Sequence, residues 1–294
     1  MGNSTGSMRH HFYRGLSSSG FHRLHYTEWG DPANPRVLVC AHGLTRVGRD
    51  FDTLAAAMQD QYRVICPDVA GRGESDWLAT KADYNYVQYM NDMAALIARV
   101  TAPVAGAGDT ESVHWLGTSM GGIIGMLLAS QLKTPITRMV VNDVGAFIPK
   151  ASLERIGMYL GASPKFADFD SIVMAVRAVS PFGEMSDDTW RQLTVPLVKQ
   201  LADGSWTFRY DTGIAESFKQ GAVQDVDLSS VWDKVSCPVL VTRGTESDLL
   251  LKDTYEKMLR KSGVRGVEFP HVGHAPMFQD AAQIEVVREF LLGK

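Results

Sequence analysis

Five residues, Gly117-Thr118-Ser119-Met120-Gly121, constrain this chain more than any other feature. They fill the pattern G-x-S-x-G, with a further glycine at Gly122. A short apolar run over 113–116 precedes them, and a small-residue pattern of helical spacing over 119–132 follows. A sharp strand-to-helix turn puts its central residue in a strained backbone conformation and lifts that side chain above the sheet. The residues two positions away must be small, because their side chains would otherwise collide across the turn. The helix that follows points its first amides at the same spot, where its partial positive charge favours an oxyanion. Ser119 is therefore a candidate nucleophile, and the chain around it is predicted to be layered α/β structure.

The remainder of the sequence agrees with that prediction. Residues 12–17 and 21–29 read as two antiparallel strands about a Ser/Gly turn. Compact apolar runs at 36–41, 62–66, 113–116 and 138–142 read as buried strands, with helical patterns at 50–60, 85–100 and 119–132 between them. Such alternation predicts a mostly parallel, doubly wound sheet covered on both faces. It breaks after Val144. From 147 to 230 only helical patterns and loops are evident, at 152–160, 169–179 and 187–201, with an aromatic stretch at 206–210. Strand-like runs return at 238–242 and 267–270, and an amphipathic helix over 280–292 closes the chain. The organisation read from this is a leader at 1–8, a core of 9–146 and 231–294, and a helical lid inserted at 147–230. An insertion there is expected over the carboxyl ends of the strands, where open α/β sheets bind ligands. The 206–210 aromatics either line a pocket or pack the lid.

A serine hydroxyl needs a base. Of the eight histidines, only His271 and His274 follow the Ser119 turn, in Phe269-Pro270-His271-Val272-Gly273-His274-Ala275-Pro276. His274, framed by Gly273 and Pro276, is the favoured base. The base needs an orienting carboxylate. Asp248, in Arg243-Gly244-Thr245-Glu246-Ser247-Asp248, is the first choice. Asp143, after the strand at 138–142, is its rival, and Glu246 a bystander. The order Ser119, Asp248, His274 is that of one serine-hydrolase architecture and not of the others. Arg46 and Arg49 lie just beyond the His42-Gly43-Leu44 loop. Arg46 is a candidate clamp for a substrate carboxylate, the alternative being an ion pair with Asp50 or Asp52. Gly71-Arg72-Gly73 lacks a P-loop lysine and the G-x-G-x-x-G spacing, and reads as a structural turn.

Composition excludes several other classes. The chain has 294 residues, 45% of them hydrophobic, and a net charge of −4, which gives no electrostatic footprint for nucleic acid. No apolar run reaches the ~20 residues of a membrane span. The first seven residues carry no signal-like apolar stretch. Cys40, Cys66 and Cys237 are odd in number and lack metal-ligand spacing, so they read as free thiols, with no bound metal or cofactor implied. These features predict a cytoplasmic protein, monomer or homodimer, acting on a small molecule.

Taken together, the chain from about residue 21 onward resembles the α/β-hydrolase superfamily. The residues that carry the resemblance are His42-Gly43-Leu44, Asp68-Val69-Ala70-Gly71-Arg72-Gly73-Glu74-Ser75, the Ser119 turn, Ser247-Asp248-Leu249-Leu250 and Gly273-His274-Ala275-Pro276. It is most similar to the lidded esterases, lactonases, carbon–carbon bond hydrolases and cofactor-free haloperoxidases. The resemblance implies an oxyanion hole built from the backbone amides of Leu44 and Met120, and it prefers His274 over His271. His42 is expected to brace the oxyanion loop and not to act as a second base. Serine at 119, in place of aspartate, argues against haloalkane dehalogenase and epoxide hydrolase activity. The expected activity is acyl transfer to water from a carboxylic ester or lactone. Carbon–carbon bond hydrolysis with the same triad is the alternative, and a non-catalytic ligand receptor on the same fold a third reading.

Overall fold

A computed structural model describes residues 8–102, 111–216 and 223–294. The expected leader therefore falls outside the described residues, apart from Met8. The strands β1 (Arg9–Ser17), β2 (Gly20–Trp29), β3 (Val37–Ala41), β4 (Arg63–Pro67), β5 (Val113–Thr118) and β6 (Ile136–Asn142) form one sheet with β11 (Val239–Gly244) and β12 (Val264–Phe269). The order is β1-β2-β4-β3-β5-β6-β11-β12. The β1–β2 and β2–β4 pairs are antiparallel, and all others are parallel. This is the mostly parallel α/β-hydrolase sheet that the sequence predicts.

Alternate residues of the central strands feed two separate cores, as the period-2 geometry of a strand requires. Val37, Val39, Ala41, Met139, Val141, Val239 and Val241 point to one face, where they meet Tyr89, Met93 and Leu96 of α2 (Tyr86–Val100) and Ile124 of α3 (Met120–Ala129). Leu38, Cys40, Val140 and Leu240 point to the other. There they meet Leu54 and Met58 of α1 (Asp52–Met58) and Val287 and Phe290 of the closing helix α9 (Ala281–Leu291). Cys40 and Cys66 are buried free thiols, as expected, and Cys237 is half-buried. No helix among the described residues is long and apolar enough to cross a membrane.

The segment between β6 and β11 is less uniformly helical than its sequence suggests. Among the described residues it contains α4 (Lys150–Gly157), α5 (Phe169–Ala178), α6 (Asp187–Thr194) and α7 (Ser229–Trp232), but also four short strands. β7 (Phe147–Ile148) pairs with β10 (Val226–Asp227), so the chain closes on itself where it leaves and re-enters the core. β8 (Val198–Gln200) and β9 (Trp206–Phe208) form a hairpin. The helix expected over 187–201 stops at Thr194, because Pro196 has no amide hydrogen to continue it. Ile172, Val173 and Val176 of α5, Trp190 of α6 and Leu197 make a third small core, which includes Val47 from the sheet domain. α8 (Lys252–Leu259) completes the fold between β11 and β12.

Candidate active site

Ser119 stands between the end of β5 and the start of α3 with φ 53° and ψ −116°. This left-handed strain costs a non-glycine residue on the order of 1–3 kcal/mol, and the surrounding packing must impose it. The two flanking glycines allow that packing. A Cβ on Gly117 would lie 2.2 Å from the Gly121 carbonyl oxygen, and one on Gly121 would lie 2.1 Å from that of Ala41. Met120 takes the first helical position, where an α-helix leaves its amide without an intrahelical acceptor.

His274 lies in the loop after β12. Its Nε2 is 3.0 Å from Ser119 Oγ, and its Nδ1 is 2.7 Å from Asp143 Oδ2. His271, the other candidate, is 89% exposed and faces Glu246. The carboxylate that meets His274 is Asp143 and not Asp248, which corrects the first choice made from sequence. Asp248 is 51% exposed and forms an ion pair with Arg155 of α4. The tight turn that ends β11 explains the difference. Ser247 donates its amide to Gly244, and Glu246 its amide to the Val272 carbonyl. This folds the segment onto the His274 loop and carries Asp248 outward. The same turn turns two donors inward. The Gly244 amide reaches Asp143 Oδ1 at 2.9 Å, and the Ser247 hydroxyl reaches Asp143 Oδ2 at 2.6 Å. Asp143 is fully buried, with φ 53° directly after β6. Buried carboxylates need such donors. Ser247 is thus a site residue that sequence reasoning passed over, although it stands inside the motif that was singled out.

Asn142 ties these parts together. Its amide donates to Thr118 Oγ1 and to the Pro276 carbonyl, and it accepts from the Thr242 hydroxyl. One side chain thereby links β5, β6, β11 and the His274 loop.

The His42-Gly43-Leu44 loop lies beside Ser119. His42 Nε2 accepts the Val69 amide at 2.9 Å and Nδ1 donates to the Gly43 carbonyl at 2.7 Å. Complete burial drives its pKa down to about 4, so it is neutral and braces the loop as expected. Arg72, read from sequence as part of a structural turn, is completely buried and donates Nε–H to the Leu44 carbonyl at 2.8 Å. Arg46 is not a free clamp. It makes a two-bond ion pair with Asp50, 2.7 Å on each arm, and Arg49 pairs with Asp52. Burial raises the Asp50 pKa against the pull of Arg46.

A cavity of about 290 Å³ opens above Ser119. Gly43, Leu44, Arg46, Ser119 and His274 line it from the sheet side. Ile156, Tyr159, Phe166, Val176, Phe182 and Phe208 line it from the inserted segment. The 206–210 stretch divides: Phe208 and Tyr210 reach the cavity, while Trp206 packs on Phe169.

The sequence model of the alpha/beta hydrolase family matches residues 38–287. The chain belongs to that family. It is accordingly a hydrolase. One relative, a 3-hydroxybutyrate-oligomer hydrolase from Cupriavidus necator, is 45% identical over 292 residues, covering 96% of this chain and 97% of that protein. The 3-oxoadipate enol-lactonase 2 of Acinetobacter baylyi is 25% identical over 76% of this chain and 75% of its own. An alpha/beta hydrolase from Novosphingobium aromaticivorans superposes with a TM-score of 0.84 at 33% identity, over 98% of this chain and 99% of that one.

Proposed function

We propose that this hydrolase cleaves short carboxylic oligoesters of 3-hydroxy acids through an acyl-enzyme. The reading is carried by the single line of contacts Ser119–His274–Asp143 on the floor of a mostly apolar cavity. His274 Nε2 takes the Ser119 proton as Oγ bonds to the ester carbonyl carbon. Asp143 holds the other ring nitrogen, fixing the tautomer and stabilising the charged ring. The amides of Leu44 and Met120 receive the oxyanion. Collapse breaks the carbonyl–alkoxy bond, and His274 returns its proton to the departing alcohol. Water, deprotonated by His274, then frees the acid and restores Ser119. No residue in this sequence of steps calls on a metal or an organic cofactor.

Three observations support the choice of substrate. The cavity volume of about 290 Å³ is at the small end of the ~300–1,000 Å³ usual for ligand pockets, which suits an oligomer of a few units. The lining is mostly apolar, which suits methyl-bearing acyl units. The Cupriavidus necator relative, aligned over nearly its whole length, is named for cleaving such oligomers. The inserted segment acts as the lid that roofs the cavity. The same catalytic line would also serve carbon–carbon bond hydrolysis, so the deciding assay is a direct one. Purified protein is incubated with 3-hydroxybutyrate dimer and trimer, and released monomer is quantified. Monomer release that disappears in Ser119→Ala is expected. Absence of release by the wild-type protein would overturn the substrate assignment.

A further inference from the structure

The Arg46–Asp50 pair is an odd wall for an apolar cavity. Both side chains line it, yet the pair is largely withdrawn from water, with side-chain exposures of 14% and 5%. Desolvating a pair of charges is costly, and apolar residues of similar size are often at least as stable in such a place. The pair therefore asks for a role in the cavity itself.

Its position is fixed relative to the nucleophile. Residues 43–46 form a turn closed by the Arg46 amide on the Gly43 carbonyl, 3.1 Å. A Cβ on Gly43 would lie 3.5 Å from Arg46 Cγ and 3.8 Å from Ser119 Cβ, so the arginine stem and the serine flank the same glycine. The following residues are anchored as well, since the Gly48 amide donates to buried Asp68 at 2.8 Å. The ring of Phe182, from the inserted segment, covers the guanidinium at 5.3 Å. The two bonds to Asp50 use two of the five N–H donors of a guanidinium, and each Asp50 oxygen keeps a second lone pair. The pair thus offers donors and acceptors side by side, with no net charge.

A neutral wall of this kind suits neither a carboxylate, which Asp50 would repel, nor a plain acyl chain. It suits a hydroxyl, which both accepts and donates. With the carbonyl carbon at Ser119 and the carbonyl oxygen toward the Leu44 amide, the first polar group along a 3-hydroxyacyl chain stands two carbons away. Arg46 and Asp50 line the same cavity as Ser119, with the Arg46 stem on the other side of Gly43 from the nucleophile. We infer that the Arg46–Asp50 pair is the specificity element that reads the 3-hydroxyl of the acyl group, Arg46 donating to its oxygen and Asp50 accepting its proton. Recognition of this kind selects the unit whose hydroxyl is free, so the enzyme removes units from the hydroxyl end of an oligomer.

The inference rests on the ester-hydrolase reading of the site, and its test is independent of oligomer cleavage. The measurement is kcat/KM for a matched series of monomeric esters: 3-hydroxybutyrate (each enantiomer), 3-methoxybutyrate and butyrate. For the wild-type protein, one enantiomer of the hydroxy ester should exceed butyrate by at least about tenfold, with the methoxy ester, which accepts but cannot donate, below the hydroxy ester. In Arg46→Met/Asp50→Leu, which removes both charges at once, the ratio of hydroxy ester to butyrate should fall to about one. Arg46→Lys, which keeps the charge but loses the fork, should fall between. A wild-type ratio near one overturns the inference, as does a ratio that persists in the double variant or a preference that follows a free carboxylate instead. If the double variant fails to fold, Arg46→Lys carries the assignment, and a ratio equal to that of the wild type overturns it. Absence of turnover on all four esters would instead remove the ester-hydrolase reading beneath it.

Discussion

Asp143 illustrates how a carboxylate is made fit to orient a histidine. It is completely buried, and its oxygens receive the Gly244 amide, the Ser247 hydroxyl and His274. Asp143→Asn would keep the volume but present an amide hydrogen or a weaker acceptor to His274, favouring the wrong tautomer. Its kcat is expected to fall by about 10³–10⁴. Asp248→Asn removes an exposed ion pair worth about 0–1 kcal/mol, and kcat should stay within a few-fold of wild type. Steady-state kinetics on one activated ester decides between the two, and the reverse outcome would restore Asp248 as the triad acid. Ser247→Ala strips one donor from a buried charge, a loss of about 1.5–3 kcal/mol. It should therefore cost stability and a fraction of kcat, well short of the loss in Asp143→Asn.

At the scale of elements, the elbow between β5 and α3 stands on clearances of atomic size. Gly121→Ala would drive a methyl into the Ala41 carbonyl, 2.1 Å away, and backbone cannot give way as a side-chain tip can. Overpacking of this kind costs about 1–3 kcal/mol, and the melting temperature should drop by about 2–5 °C with activity lost. The loop after β3 carries a pH dependence. His42 is fully buried with its pKa driven down from 6.5 to about 4 by burial, and His114 is lowered to about 4 for the same chief reason. An unfolded chain takes up these protons below about pH 6.5, while the folded chain resists until about pH 4. Stability should therefore fall as pH drops through that window, by up to about 3 kcal/mol from His42 alone. Denaturant midpoints at pH 7 and pH 5 measure this. His42→Asn, less stable at pH 7, should lose less between the two, and an unchanged slope would assign the effect elsewhere.

For the molecule as a whole, the inserted segment is joined to the sheet domain at several separate places. β7 and β10 close its base, Val47 enters its small core, and Asp248 holds α4 through Arg155 and through the Ser152 hydroxyl on its carbonyl. Trp190 is buried within that core and stacks on Phe182, which lines the cavity. Trp190→Ala should cost about 3–5 kcal/mol of packing. Because Phe182 would lose its support, KM should rise more than kcat falls. Thermal melts with parallel kinetics check this, and a loss of stability with unchanged KM would separate the small core from the cavity.

The sequence by itself determined the elements of the sheet domain and singled out Ser119. A G-x-S-x-G turn between an apolar strand and a helix admits few conformations, because a Cβ at either glycine would come within 2.1–2.2 Å of a backbone carbonyl oxygen, far inside van der Waals contact. The alternating apolar runs likewise determined a buried, mostly parallel sheet, since strands covered on both faces are apolar throughout. The place after the last strand left both His271 and His274 open, and the framing of His274 by Gly273 and Pro276 favoured the second. Only the tertiary structure brought Asp143, and not Asp248, to His274. Asp143 and Asp248 both follow strands, and those strands, β6 and β11, are parallel neighbours whose carboxyl ends coincide, Asn142 beside Thr242. Chain order is the same for either choice. What separates them is the direction in which the turn at residues 244–247 leaves the sheet, set by hydrogen bonds to the His274 loop far along the chain. The ion pair of Arg46 with Asp50 was one of the two readings its sequence spacing offered, whereas the short strands of the insertion were hidden. The pairing of β7 with β10 joins segments almost 80 residues apart, and such a contact exists only once the chain has folded.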